Sequence, residues 1–539
     1  MTSDLTNDEI ADRLSLFAAL LELAESSPFA ARAYARAAEL IRSTPAPIAD
    51  LVRQGRVREL RGIGPGIESK LRELVATGEI AELRALQEEL PPELVSYGRL
   101  HGVSVKRIST IARALGIATV PELQAAVAAG RLREVPGIGP ATETAIASAL
   151  AKPRGDTRGL TVNRSRSLSG EIADAVGGQM AGAARRFAEL TSELTVVVPS
   201  ERPEQTIERF AALPSIVTIL ERGDRNAVGL TLDGVPVALV VAEPAVFGTE
   251  LLRATGSPEW VAGLGTLPDA ADEESLFAAL GLPFCPPELR ELAGARPPES
   301  LVDLPDIRGD LHCHTTWSDG KATVREMATA ARDRGYAYVA ICDHTPNVGV
   351  VPGLGSDDLR RQGEEIADVN AELAPFRVLR GVECDIRSDG SLDVEDDVLR
   401  ELDWVQLSLH AGQRRSRDDL TRIVTEAMRH PAVRALSHPT GRILNHRPEN
   451  ALDLDGVFGV AIETGVALEV NGLPDRLDLS AAHTRDALAA GVRIVLNSDA
   501  HSTAGLANLE LALATARKAG APVDAVLNTR PLATVVAPR

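Results

Sequence analysis

Nine of the ten histidines lie after residue 306, and most stand beside carboxylates at short spacings. His312-x-His314 follows Asp310-Leu311, with Asp319 five residues on. Asp343-His344 closes the run YVAIC. Glu383 follows RVLRGV, His410 follows WVQLSL, His438 follows ALS, and Asp499-x-His501 follows IVLNS. Imidazole and carboxylate are the usual ligands of zinc and manganese. On an extended segment both rings of His-x-His point to one face, because the strand period is two, so both can grip one ion. The same holds for Asp499-x-His501. Nine candidates result: His312, His314, Asp319, His344, Glu383, His410, His438, Asp499 and His501. They are too many for one tetrahedral zinc. They predict two to three divalent ions, zinc or manganese with iron also admissible, and Glu383 able to bridge a pair.

Short apolar runs must position these groups: 338–342, 377–379, 404–409, 435–437, 467–470 and 493–496. Helical stretches alternate with them, which predicts parallel strands in a βα barrel or sheet. Chemistry in such folds sits at the C-terminal ends of strands, where these His and Asp residues fall. His101, His430, His446 and His483 lie outside the pattern and read as surface or cap residues. Cys313, Cys342 and Cys384 each adjoin a candidate ligand; alternation is expected to send them to the opposite face as small core residues.

The strings DLHCHTTWSDG, CDHT, GVECD, SLHAG, SHPTGR and NSDAHS, in that order, resemble the motifs of the polymerase-and-histidinol-phosphatase (PHP) family across 306–539. The resemblance implies a distorted (β/α)7 barrel with a trinuclear centre. By it, His312, His314, Glu383 and Asp499 would hold one ion, and Glu383, His410 and His438 a second. Asp319, His344 and His501 would hold the third. Cations so placed would make the barrel a phosphoesterase. Arg442, in HPTGR, could bind phosphate through its planar fork.

Residues 1–155 read as short helices. Thr6-x-x-Glu9 is a capping box, Leu14, Phe17, Ala18 and Leu21 recur at helical spacing, and a second helix follows Pro28 through 30–41. Two small-residue turns follow, Gly62-Ile63-Gly64-Pro65-Gly66 and Gly137-Ile138-Gly139-Pro140, with Gly102-Val103-Ser104 in a similar frame. Such turns let the backbone approach a DNA phosphate, which amides of the next helix bind without reading sequence. With SPFAARAYARAAELI upstream, they resemble the helix-hairpin-helix motifs of family X DNA polymerases, over about residues 1–150. Arg32, Arg36, Lys106 and Arg107 are candidate phosphate contacts. Lys70 aligns with the Schiff-base lysine of that family's deoxyribose-phosphate lyase, a role that needs an amine of lowered pKa. Gly66 stands where the family commonly has a lysine.

The middle block, 156–300, reads as α+β, with strands expected at 194–198, 227–232 and 235–241 and a Pro-rich linker at 283–303. The whole order, with 306–539 last, resembles bacterial PolX proteins: helical domain, nucleotidyltransferase-like palm and thumb, PHP domain. FGTELLRATGSPEW resembles the family's segment after the palm. Yet ELTVVVPSERPE lacks the Asp-x-Asp pair, and Ala238 stands where a third Asp would fall. A degenerate palm without templated polymerisation is expected.

Net charge is −19, but 1–155 is neutral, 156–305 carries −10 and 306–539 carries −9. DNA contact must therefore come from local patches and backbone amides. No apolar run approaches a membrane span, the acidic N-terminus is no signal peptide, and four cysteines make no disulfide framework. A cytoplasmic, nucleoid-associated protein with DNA as partner and no membrane is expected; no protein partner is indicated. The leading reading is a metal-dependent DNA phosphoesterase trimming 3′ ends. Its rivals are a histidinol-phosphatase-like enzyme, a non-catalytic DNA-binding scaffold and, last, an active polymerase.

Overall fold

The N-terminal helices form where the sequence places caps and apolar stripes. Thr6 and Glu9 close their capping box reciprocally, Thr6 N donating to Glu9 Oε2 at 2.8 Å and Glu9 N to Thr6 Oγ1 at 3.2 Å. Helices Asn7–Leu23 and Pro28–Arg42 then pair through Leu14, Phe17 and Ala38, with the Phe17 ring edge-on to Tyr34 at 4.8 Å. This is a computed structural model, describing residues 5–537 apart from 24–27, 43, 45, 61, 90, 152–158, 232 and 350. The expected boundary at 155/156 lies outside the described residues, as does Leu232 of the expected strand 227–232.

One device then recurs three times: a left-handed glycine followed by a helix. Gly62 (φ +108°), Gly102 (φ +67°) and Gly137 (φ +85°) precede helices Pro65–Thr77, Val105–Leu115 and Pro140–Ala151.

The middle block carries a five-stranded mixed sheet in the order Gln179–Ala181, Leu194–Pro199, Pro236–Ala242, Asn226–Thr231, Ile216–Arg222. Only Leu194–Pro199 and Pro236–Ala242 pair parallel, and in their register Thr195 lies beside Ala238. Val196, Val198, Leu239 and Val241 bury into the core beneath.

The stretch 283–303 is not the free linker its prolines suggested. Cys285 and Leu289 pack with Trp260 and Phe277. Arg290 is fully buried and shares Glu273 with Arg185, whose Nη2 lies 2.8 Å from Glu273 Oε2. Glu288 and Glu291 meet Arg517 and Lys518 at 3.2 and 3.3 Å, tying the segment to helix Leu509–Ala519. Such pairings join residues distant in sequence, so no local pattern shows them. Burial pushes the Glu273 carboxyl up, but the two guanidiniums more than offset this and hold it below its ordinary range. Its stabilisation is therefore full at neutral pH and is lost as acid protonates it below about pH 4.3. Glu273→Gln is expected to cost roughly 3 kcal/mol at pH 7. The gap between the two urea midpoints should narrow on acidification to pH 4.

The last region is a barrel of seven parallel strands: β1 Gly309–Cys313, β2 Tyr338–Ile341, β3 Arg377–Asp385, β4 Trp404–Ser408, β5 Val433–Leu436, β6 Ala467–Asn471 and β7 Ile494–Asn497. Helices cover it outside, so the strands read as near-continuous apolar runs. Closure of β7 on β1 is nearly complete. Cys313 bridges Ala500, Leu311 N donates to Asn497 Oδ1 at 3.1 Å, and Ser498 N donates to Asp310 Oδ1 at 3.2 Å. Leu311, Ala340, Leu379, Trp404, Ala435 and Ala467 fill the interior, closed by Leu527 and Val535.

Cys313 and Cys384 pack outward, as alternation requires. Cys342 corrects the expectation: it groups with the interior layer. It lies two residues before His344, so strand parity puts both on one face. All four thiols are free and buried. No single described helix is long and apolar enough to cross a membrane.

Candidate metal centre

The strand ends bring all nine candidate ligands to one mouth of the barrel. His312 Nε2 and His314 Nε2 stand 3.1 Å apart, and Asp499 Oδ1 lies 3.1 Å from His314 Nε2. Glu383 is the hub. Its oxygens lie 2.8 Å from His344 Nδ1, 2.9 Å from His438 Nε2 and 3.6 Å from both His312 Nε2 and His410 Nε2. Asp319 reaches His501 Nε2 at 3.3 Å and His344 Nε2 at 3.6 Å.

Three groups have donor atoms close enough to share an ion: His314, Asp319, His344 and His501; His312, His314 and Asp499; His344, Glu383 and His410. This resembles the allotment implied by the PHP likeness, but His314 and His344 each serve two groups. His438 stands outside the groups yet touches Glu383.

The donor set fits divalent cations. Among the described residues, no Arg or Lys pairs with Glu383 or Asp499; their ion-pair partners are all imidazoles. Two ring nitrogens point at each other within the protein, and His314 Nδ1 is buried with no hydrogen-bond partner. Burying such a set without a compensating cation is costly. Burial pushes the His312 imidazole down, but Asp499, Glu469 and Glu383 raise it well above its usual value. His501 rises against burial to about 9 through Asp319 and Asp499. His314, buried and flanked by His501 and His344, falls to about 4. Burial likewise raises Glu383 and Asp499, yet the surrounding imidazoles hold both far below the carboxylate range.

Two of the candidate ligands sit in strained backbone, His438 at φ +26° and Asp499 at φ +51°. Such conformations persist only when the surroundings over-determine them. Here His438 N donates to Glu469 Oε2 at 2.8 Å, and Asn471 Nδ2 to Asp499 Oδ2 at 2.9 Å.

Glu469 was missed by the sequence reading. Fully buried on β6, it also takes Asn497 Nδ2 and faces His312 Nδ1, both at 2.8 Å, fixing that ring. Asp385 holds His410 Nδ1 at 3.0 Å, and Asp343 binds Thr315 N at 2.7 Å beneath the loop carrying Asp319. The signal was present, since a carboxylate inside an apolar strand must have buried partners.

Other candidates fall elsewhere. His101 packs at a tilt against Tyr97, ring centres 4.5 Å apart, His483 pairs with Glu449 at 3.0 Å, and His446 is exposed. His430 follows helix Arg417–Met428, and its Nδ1 accepts Ala432 N at 3.3 Å. Arg442 is buried, with Nε on Arg476 O at 2.9 Å and Nη2 on Glu189 Oε1 at 2.7 Å and on Leu477 O. Most of its fork is thus engaged within the protein. Lys70 lies 3.0 Å from Glu82 and 3.5 Å from Glu73. Burial lowers its ammonium, but these carboxylates outweigh it and raise the pKa, opposite to what an amine nucleophile needs. Arg32, Arg36, Lys106 and Arg107 are exposed, the last two in the first turn of Val105–Leu115. A side chain at Gly64, Gly66, Gly137 or Gly139 would meet nothing, so these surfaces are open to an approaching backbone; Gly62 is also exposed.

A seven-stranded parallel barrel with clustered His and carboxylate at its mouth defines a metal-dependent phosphoesterase of the PHP class, and the PHP domain family matches residues 310–471. The helix-hairpin-helix domain family matches residues 5–80. The DNA polymerase/3′-5′ exonuclease PolX of Bacillus subtilis (strain 168) is 31% identical over 565 aligned positions, covering 98% of each chain. The chain therefore belongs to the PolX family. Probable phosphatases of Photobacterium profundum and Acetivibrio thermocellus are each 29% identical, over 40% and 41% of this chain and 88% and 90% of their own lengths.

Proposed function

We propose that this chain binds DNA through residues 1–155 and removes 3′ nucleotides or blocked 3′ phosphates in the barrel, 306–539, as a repair nuclease. The observation that carries the reading is the convergence of nine ligand-type side chains at one barrel mouth, in a chain that also presents exposed glycine turns ahead of helices. His312, His314, Asp319, His344, Glu383, His410, His438, Asp499 and His501 would hold two to three divalent ions. When bound, these polarise the phosphoryl group, activate water and stabilise the leaving oxygen. The chain's own work is to fix this geometry. Glu383 presents both oxygens among imidazoles, Glu469 and Asp385 orient His312 and His410, and Asp343 anchors the loop of Asp319. Amides following Gly62–Gly66 and Gly137–Gly139, with Arg32, Arg36, Lys106 and Arg107, would hold the DNA backbone.

The middle block, 156–300, is proposed to carry no templated synthesis. Two-metal nucleotidyl transfer needs clustered carboxylates. Strand Leu194–Pro199 carries no Asp-x-Asp pair, and Ala238, beside Thr195 on the neighbouring strand, offers no carboxylate. Four free buried thiols fit a reducing, cytoplasmic and nucleoid-associated setting.

Similarity to phosphatases over the barrel alone favours a second reading, a small-molecule phosphatase. It leaves the glycine turns without a role. The two separate on one sample with Mn²⁺. Fluorescence anisotropy should show salt-dependent DNA binding, and 3′ ends should be shortened far faster than a phosphate monoester is hydrolysed. Monoester turnover without DNA binding would support the phosphatase.

A further inference from the structure

The metal ligand in the most unusual backbone, His438, lies four residues before Arg442, the arginine that leaves the barrel to meet the middle block. Arg442 Nη2 donates to Glu189 Oε1 at 2.7 Å, and Asn445 Nδ2 donates to the Gly159 carbonyl at 3.0 Å. The two acceptors immediately precede the two strands of one small ribbon, in which Leu160–Thr161 pairs antiparallel with Leu190–Thr191. On the barrel side the same loop is pinned where Arg442 Nε meets Arg476 O at 2.9 Å and Thr440 N meets Asp478 Oδ1 at 3.2 Å. The loop is thus gripped from both sides, with left-handed residues at His438, Gly441 and Asn445. A strained ligand keeps its place only while its surroundings hold it.

We propose that Glu189, seconded by the Gly159 carbonyl, is a positioning residue of the metal centre. By fixing Arg442 it keeps the 438–447 loop set and His438 on Glu383. The middle block then completes the barrel's site from outside, a task needing none of a polymerase's carboxylates. The proposal rests on the metal-centre reading above.

The test uses the full chain with Glu189→Ala, Glu189→Asp and Asn445→Ala. Titration of metal-free protein with Mn²⁺ against a chelator needs no substrate. Glu189→Ala and Asn445→Ala should weaken the ion nearest Glu383, His410 and His438 by about tenfold, the scale on which outer partners of ligands act. Glu189→Asp should recover most of it. In the 3′-end assay, kcat should fall with little change in KM or DNA affinity. If Glu189→Ala lowers only the melting temperature, with metal affinity and kcat at wild-type values, Glu189 is a strut between domains and the proposal is overturned. If Glu189→Ala does not fold, Asn445→Ala is read by the same criteria. Wild type that binds metal normally but cleaves nothing would refute the nuclease reading and leave the metal titration to decide this one.

Discussion

Glu383→Gln is expected to slow removal of a labelled 3′ nucleotide by about a thousandfold while leaving DNA affinity unchanged. That carboxylate faces the imidazoles of His312, His314, His344, His410 and His438, all within 3.8 Å. The amide keeps the shape but removes the charge that would balance bound cations, and one of its two termini becomes a donor aimed at imidazole. Several kcal/mol of transition-state stabilisation depend on that balance, and about 4 kcal/mol corresponds to a thousandfold. Single-turnover decay of a 3′-labelled strand, with bound metal quantified on the same sample, checks it. A loss below tenfold with full metal content would remove Glu383 from its bridging role.

Glu469→Gln is the second large effect. Glu469 is not a candidate ligand, but it faces His312 Nδ1 and accepts the His438 backbone N–H, so it fixes one ring and the backbone of a second candidate ligand. Burial pushes its carboxyl up, yet His312 and His438 hold it below the usual range, so it remains charged at neutral pH. Its loss should weaken metal binding by about 10–100-fold, as for other partners that fix a ligating histidine. Chelator competition on the purified variant measures this directly. Unchanged affinity would mean that His312 is held without it, by packing and by Gln406 Nε2, 2.7 Å from the same nitrogen.

Much of the barrel was legible because its signals are local. Apolar runs bounded by ligand-type residues announce strand ends, and His-x-His fixes a face through the two-residue period. The glycine turns were legible for the same reason: Gly62 and Gly137 adopt the positive φ that a tight entry into a helix uses. What escaped was non-local. Glu469 gains meaning only when barrel closure brings β6 across the interior to His312 of β1, and Arg290 only when Glu273 folds back onto it. Arg442 looked like a phosphate fork, and its engagement with Glu189, 253 residues away, follows from how the barrel docks. Lys70 was read from its place in a motif, whereas its chemistry is set by Glu73 and Glu82.

This chain is proposed to degrade 3′ ends in its barrel and to add nothing to them. The most direct measurement is a gel assay on a gapped duplex labelled at the 5′ end, with Mn²⁺ and with added deoxynucleotides, comparing wild type with His312→Ala/His314→Ala. A descending ladder is expected for wild type and an unchanged band for the variant. An ascending ladder would contradict it, because synthesis would then proceed although strand Leu194–Pro199 has no Asp-x-Asp pair and Ala238 stands on the strand beside it.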